Sequence, residues 1–392
     1  MKRAVLIALA VVLVGIVWWA SGLGRRPADP RAYFTQEQIE KADDYQDPRY
    51  AVAVVQLLIG LGVLVFFTSP VGRRLLEPLG RTRWWVAALA IPAVVLLTRA
   101  LARLPLSFWV GHLREKTYGF STQTPAGWLG DWAKSIAVSI VVTGVVWLGI
   151  VLAMRTLPRA WPAVAAAGAA ILAAVLSFLA PVIFEPIFNR FQPLEDRAFV
   201  AELRELADRA GVPVKEVLVA DASRRSVKEN AYVSGFGSTK RLVLYDTLLQ
   251  RAEKREVVLV VAHELAHRRE RHVELGTVLG ASGAAVAILL LWLAMRRGLL
   301  PADPGDPRLF PGAMLLFVLL TVVTQPPANW VSRRWELEAD RIAIELTGDR
   351  EGHVATEKGL ALRNLGELDP GPLVYRYFFT HPAPAERISL AE

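Results

Sequence analysis

Residues 257–272 read VVLVVAHELAHRRERH, and the organisation of the chain follows from this stretch. An apolar run leads in and a basic run leads out. His263 and His267 are four apart, so on a helix their imidazoles stand one above the other on one face. Both can then address a single divalent cation. Glu264 lies beside them and can take a proton from a water held at that cation. His-Glu-x-x-His on a helix supplies two zinc ligands and a general base for metal-assisted hydrolysis. His272, five residues past His267, points to a different side of the helix and reads as a headgroup-level or surface residue.

The 392-residue chain is 53% hydrophobic, and the apolar residues fall in seven runs: 4–23, 51–67, 84–97, 136–154, 161–183, 276–295 and 309–323. Such lengths with few charges read as membrane helices, the shorter runs being extended by their flanks. Run 4–23 has Lys2 and Arg3 before it and Arg25 and Arg26 after it. Trp18 and Trp19 suit an interfacial anchor, so it reads as a retained span rather than a cleaved signal peptide. Cysteine is absent, which excludes disulfides, thiolate metal ligands and a cysteine nucleophile. The net charge of +8 comes mostly from arginines scattered between the runs. That pattern suits lipid headgroups, and no nucleic-acid motif accompanies it. The expected fold class is mainly α, a polytopic membrane protein with a small α+β domain.

Four segments follow. Residues 1–183 hold five spans, with 36–44 as a short surface helix and 99–134 as a polar interlude. Residues 184–272 have soluble-domain periodicity: an amphipathic helix over 196–210 stopped by Gly211, then strands over 216–220, 231–235 and 241–245. Residues 273–330 hold spans six and seven, the last ending at Pro326-Pro327. Residues 331–392 form a mixed C-terminal segment.

A hydrolytic zinc site needs a third protein ligand. Glu336 and Asp340, in the stretch WELEAD at 335–340, share a helical face. Glu336 can complete a two-histidine, one-carboxylate set, and Asp340 can accept the free N–H of a ligand histidine. His267 and Glu336 flank opposite ends of one membrane hairpin, each on the order of 10 Å beyond it at about 1.5 Å per helical residue. Both therefore lie at similar depth on the same side.

These segments resemble the integral-membrane zinc CAAX prenyl proteases and their bacterial relatives. The resemblance covers about residues 30–390 and rests on REKTYGFSTQT at 114–124, FEPIFNRF at 184–191, SVKENAYVSGFGSTKRLVLYDTLL at 226–249, HELAH at 263–267, ELEAD at 336–340 and HPAPAERI at 381–388. It implies seven membrane helices around a water-filled chamber, and one zinc ion held by His263, His267 and Glu336 with Glu264 as general base. It also implies an edge strand at Asn230 and Ala231 that binds substrate, and a pair, His381 and Arg387, that stabilises an oxyanion. The implied partners are a peptide or protein substrate, prenylated or bare, and membrane lipid. The implied catalytic side is cytoplasmic, and the composition suggests a bacterial plasma membrane. Two other functions stay open at this point: a membrane-protein quality-control protease of heat-shock type, and a non-catalytic chamber binding lipidated peptides. Oligomeric state is not legible.

Overall fold

The computed structural model describes residues 28–392 apart from 236, 301, 302 and 304. The apolar run at 4–23 lies outside the described residues. The other six runs all belong to helices long and apolar enough to cross a membrane. These are α1 (Gln36–Thr68), α3 (Trp84–Phe108, which continues to Thr117), α4 (Pro125–Thr156), α5 (Trp161–Ile183), α8 (His272–Arg296) and α9 (Phe310–Thr347), with the short α2 (Pro70–Gly80) between the first two. Leu64, Ile91, Trp147, Val151, Leu291 and Phe310 form one core among them. Val141 and Ile171, by contrast, are 63% and 66% exposed, as side chains facing hydrocarbon would be.

Three boundaries differ from the sequence reading, and the structure gives a reason for each. The 36–44 helix does not end before the second run; α1 passes through Pro48 as one helix. Proline lacks the N–H that would bond the carbonyl four residues back. Here the freed Asp44 carbonyl accepts from Tyr118 Oη at 3.2 Å and from Arg114. The 99–134 interlude is mostly helix: α3 runs on through a π-turn at Trp109–Leu113 to Thr117. Arg103 is carried on that helix and donates to Gln56 at 3.1 Å. The seventh run does not end at Pro326-Pro327 either. α9 passes through both prolines as one 38-residue helix, and Tyr377 Oη donates at 3.3 Å to the Val322 carbonyl that Pro326 leaves free. At about 1.5 Å per residue α9 is nearly twice as long as a bilayer core is thick, so its last turns stand outside the membrane.

Between α5 and α8 lies the α+β segment. Strands β1 (Phe191–Pro193), β2 (Glu216–Ala220), β3 (Ala231–Ser234) and β4 (Arg241–Tyr245) form a sheet of order β1-β2-β4-β3. β1, unforeseen in the sequence, is a three-residue edge strand antiparallel to β2. β2 and β4 are parallel, and β3 pairs antiparallel with β4 only. The amphipathic α6 (Arg197–Arg209), capped by Asp196 and closed by Gly211 at φ 71°, packs Leu203 and Leu206 against the sheet. α7 (Lys254–Arg269) buries Val257, Val261 and Leu265 in the same core, where Ala343 of α9 also packs. The C-terminal α10 (Arg350–Arg363), α11 (Pro372–Phe378) and α12 (Pro384–Ile388) close over the opposite side.

Candidate metal centre

α7 and α9 pack side by side, and their facing residues make the centre. His263 Nε2 lies 3.1 Å from His267 Nε2 and 3.2 Å from Glu336 Oε2; His267 Nε2 lies 3.5 Å from Glu336 Oε1. One ligand-type atom from each residue falls within 4.8 Å of the others. A tetrahedral ion with bonds of about 2.0–2.1 Å separates its ligand atoms by roughly 3.3 Å, so the spacing fits. The donor set fits as well. Glu336 Oε2 is buried and, among the described residues, has no hydrogen-bond partner. A lone pair on each imidazole faces it, and a cation satisfies all three.

His263 is oriented from behind. Its Nδ1–H donates to Asp340 Oδ1 at 2.8 Å, which leaves the Nε2 lone pair facing the centre. Asp340 is fully buried. It is held by Arg387, whose Nε and Nη2 donate at 2.8 and 2.6 Å. Arg387 Nη1 also meets Glu357 Oε2 at 2.7 Å. Asp340, His353 and Glu357 form a second cluster with metal-like spacing, but the guanidinium already supplies its cation. Burial alone would lower the pKa of the His263 imidazolium. The Asp340 carboxylate and its hydrogen bond raise it, to about 10 when a proton rather than a cation sits on Nε2 beside Glu336. Burial pushes the Glu264 carboxyl up, and the two imidazoles only partly offset that. Glu357, too, is pushed up by burial, to about 7, despite Arg387. Much of that guanidinium's charge is already committed to Asp340.

A cavity of about 500 Å³ opens over His263 and Glu264, with Asn230, Tyr50, Phe379 and His381 among its lining. His381 Nε2 reaches to 3.4 Å from Glu336 Oε2, on the open side. Arg387 also touches the cavity, but its ion pairs lie behind His263. Asn230 precedes β3. Its carbonyl accepts from Tyr245 N at 3.0 Å, and its side chain caps Ala231 N at 2.9 Å. The preceding Glu229 is anchored by Arg363 at 2.8 Å, and Lys228 by Glu115 at 2.9 Å. Arg268 of α7 donates at 3.1 and 2.8 Å to the outward carbonyl of Val233, tying the edge strand to that helix.

The C-terminal half, residues 193–392, matches the family model described as "Peptidase family M48". The chain belongs to peptidase family M48. Residues 22–190 match the model described as "CAAX prenyl protease N-terminal, five membrane helices". A relative in Bacillus subtilis, "Uncharacterized metalloprotease YhfN", is 30% identical over 93% of this chain and 88% of its own. The Saccharomyces cerevisiae "CAAX prenyl protease 1" is 29% identical over 74% of this chain and 68% of its own. The crystal structure of S. mikatae Ste24p superposes with a TM-score of 0.81, covering 98% of this chain and 97% of that one at 22% identity. This M48 member therefore shares that fold: a multi-pass helical membrane protein whose long helices enclose a chamber, with a small mixed sheet beside it.

One sequence reading is overturned at this site. His272 is not a surface residue: it is 5% exposed and its Nδ1 lies 2.9 Å from His267 Nδ1. On one continuous helix a residue five past His267 would face away, but the left-handed Arg271, at φ 59°, separates α7 from α8. Glu357 and His353 were also missed. They come from α10, whose residues carry no motif, and they line the same cavity.

Proposed function

We propose that this M48 member is a zinc-dependent metalloendopeptidase, CAAX prenyl protease-like in its choice of substrate. His263, His267 and Glu336 would hold the ion. When bound, zinc polarises the scissile carbonyl and makes water acidic enough to attack near neutral pH. Glu264, raised above the ordinary carboxylate range, takes the proton of the attacking water and hands it to the leaving amine. His381, on the open side, donates to the oxyanion. Arg387 acts through Asp340, holding the carboxylate that orients His263. The Asn230 side chain and the outward main chain of Ala231 would hold an extended peptide along the edge of β3.

The observation that carries this reading is the convergence of two imidazoles and an orphaned buried carboxylate oxygen at tetrahedral spacing beside Glu264. Support for a lipidated peptide comes from a second cavity of about 310 Å³ lined by Ala53, Val54, Leu57, Phe317, Val318 and Phe378. Phe378 also lines the catalytic cavity, so an apolar chain has a place next to the site. The membrane is taken to be a bacterial plasma membrane with the catalytic side cytoplasmic.

The test uses the purified protein with prenylated and bare Cys-a-a-X peptides, cut positions being read by mass spectrometry. Wild type should cleave the prenylated peptide faster. Glu264→Gln should bind zinc normally and lose about 100- to 10,000-fold in rate. Full activity of that variant would remove Glu264 as the base. Equal cleavage of both peptides would favour the quality-control reading.

A further inference from the structure

The two ligand histidines are supported differently. His263 rests on a buried carboxylate. His267 rests on another histidine, and no sequence motif or ligand set accounts for that arrangement. The left-handed Arg271 turns the chain so that His272, the first residue of α8, folds back beneath His267. The His272 ring stacks on Trp335 of α9, with centroids 5.0 Å apart and planes 11° apart. Its Nδ1 faces His267 Nδ1 at 2.9 Å, and its Nε2 faces Glu338 Oε2 at 3.3 Å. Trp335 and Glu338 bracket the ligand Glu336 on the same helix, so α9 builds both the site and the support.

The proton pattern follows from the end partners. Glu338, as a carboxylate, only accepts, so His272 Nε2 carries the hydrogen. His272 Nδ1 is then an acceptor, and the facing His267 Nδ1 must donate. That leaves His267 Nε2 with its lone pair directed at His263 Nε2 and Glu336. The chain of donors runs one way, from ligand to His272 to Glu338, and each ring has one permitted tautomer.

We propose that His272 is a positioning residue for the metal site. It fixes the tautomer and ring orientation of His267, and relays to it the influence of the half-exposed Glu338 carboxylate. The proposal rests on His267 being a metal ligand. A structural role for the buried ring predicts something different: substitutions that keep the Trp335 stack would leave the metal site intact.

The experiment is zinc competition against a chromophoric chelator with the full-length protein in detergent, together with the electronic spectrum of the Co²⁺-loaded form. His272→Phe keeps an aromatic ring on Trp335 and removes the acceptor. It should lower zinc affinity about 10- to 100-fold and shift the Co²⁺ bands. His272→Asn supplies a side-chain oxygen near the Nδ1 position without the ring, and should recover most of the affinity. Glu338→Leu, on a half-exposed face, withdraws the acceptor of His272 Nε2–H and should move affinity in the same direction by a smaller step; it also serves if His272→Phe does not fold. Wild-type affinity and spectrum in both His272→Phe and Glu338→Leu, with affinity lost in His267→Ala, would overturn the proposal and leave the ligand set standing. Wild-type zinc binding by His263→Ala and His267→Ala would instead overturn the ligand reading itself.

Discussion

Replacing Asp340 by asparagine tests the geometry behind His263 with little change of shape. The carboxylate accepts three hydrogen bonds, one from His263 and two from Arg387. An amide offers one oxygen, so it cannot serve both partners, and its NH₂ would face a donor. Two effects follow. Loss of a second-sphere carboxylate from a ligand histidine lowers metal affinity about 10- to 100-fold, or roughly 1.4–2.7 kcal/mol. Breaking a buried ion pair costs about 3–5 kcal/mol when the remaining charge is stranded. Arg387 is not fully stranded, because Glu357 stays 2.7 Å away. The Asp340 charge is one of the causes that raise the Glu357 pKa. Without it Glu357 ionises more readily and takes over the guanidinium. The stability loss should therefore fall at or below the low end of that range, about 3 kcal/mol, while the zinc loss remains in full. Chelator competition measures the first quantity, and thermal unfolding of the metal-free protein measures the second. Wild-type zinc affinity in Asp340→Asn would refute the idea that this carboxylate orients His263.

Two other expectations concern the surroundings. Glu357 titrates near 7 in the folded chain against an ordinary value of 4.5, so the folded state holds its proton more tightly. Its contribution is greatest below pH 4.5 and is lost as pH rises to 7, at about 1.4 kcal/mol per unit. Glu357→Gln should remove that slope, so the difference in melting temperature between variant and wild type should change from pH 5 to 8; a constant difference would contradict the raised pKa. Tyr377→Phe removes the hydroxyl that serves the carbonyl freed by Pro326, and should cost about 0.5–1.5 kcal/mol in thermal unfolding without changing zinc affinity.

The six apolar runs within the described residues and the three strands near 216–220, 231–235 and 241–245 were legible because each depends on a local period, and the pairing of HELAH with ELEAD because the two flank one membrane hairpin. Seven runs imply a membrane bundle whatever their contacts. Residues four apart share a helical face whatever the face touches. Several helix ends were not legible. The 36–44 helix and the 51–67 run read as separate and the seventh run as ending at Pro326-Pro327, yet proline only leaves a carbonyl four residues back without its usual donor. Tyr118 and Tyr377, 74 and 55 residues away in sequence, supply that donor.

The sequence alone determined that His263, His267 and Glu336 could reach one point, because helical spacing and a membrane hairpin of equal arms require it. It could not place His272 or Glu357. The left-handed backbone at Arg271 reverses the face on which His272 lies, and Glu357 meets Arg387 only once α10 and α12 have packed behind α7. Contacts within one helix follow from spacing, whereas contacts between segments depend on where packing sets each helix axis. That decided which groups stand behind His263 and His267.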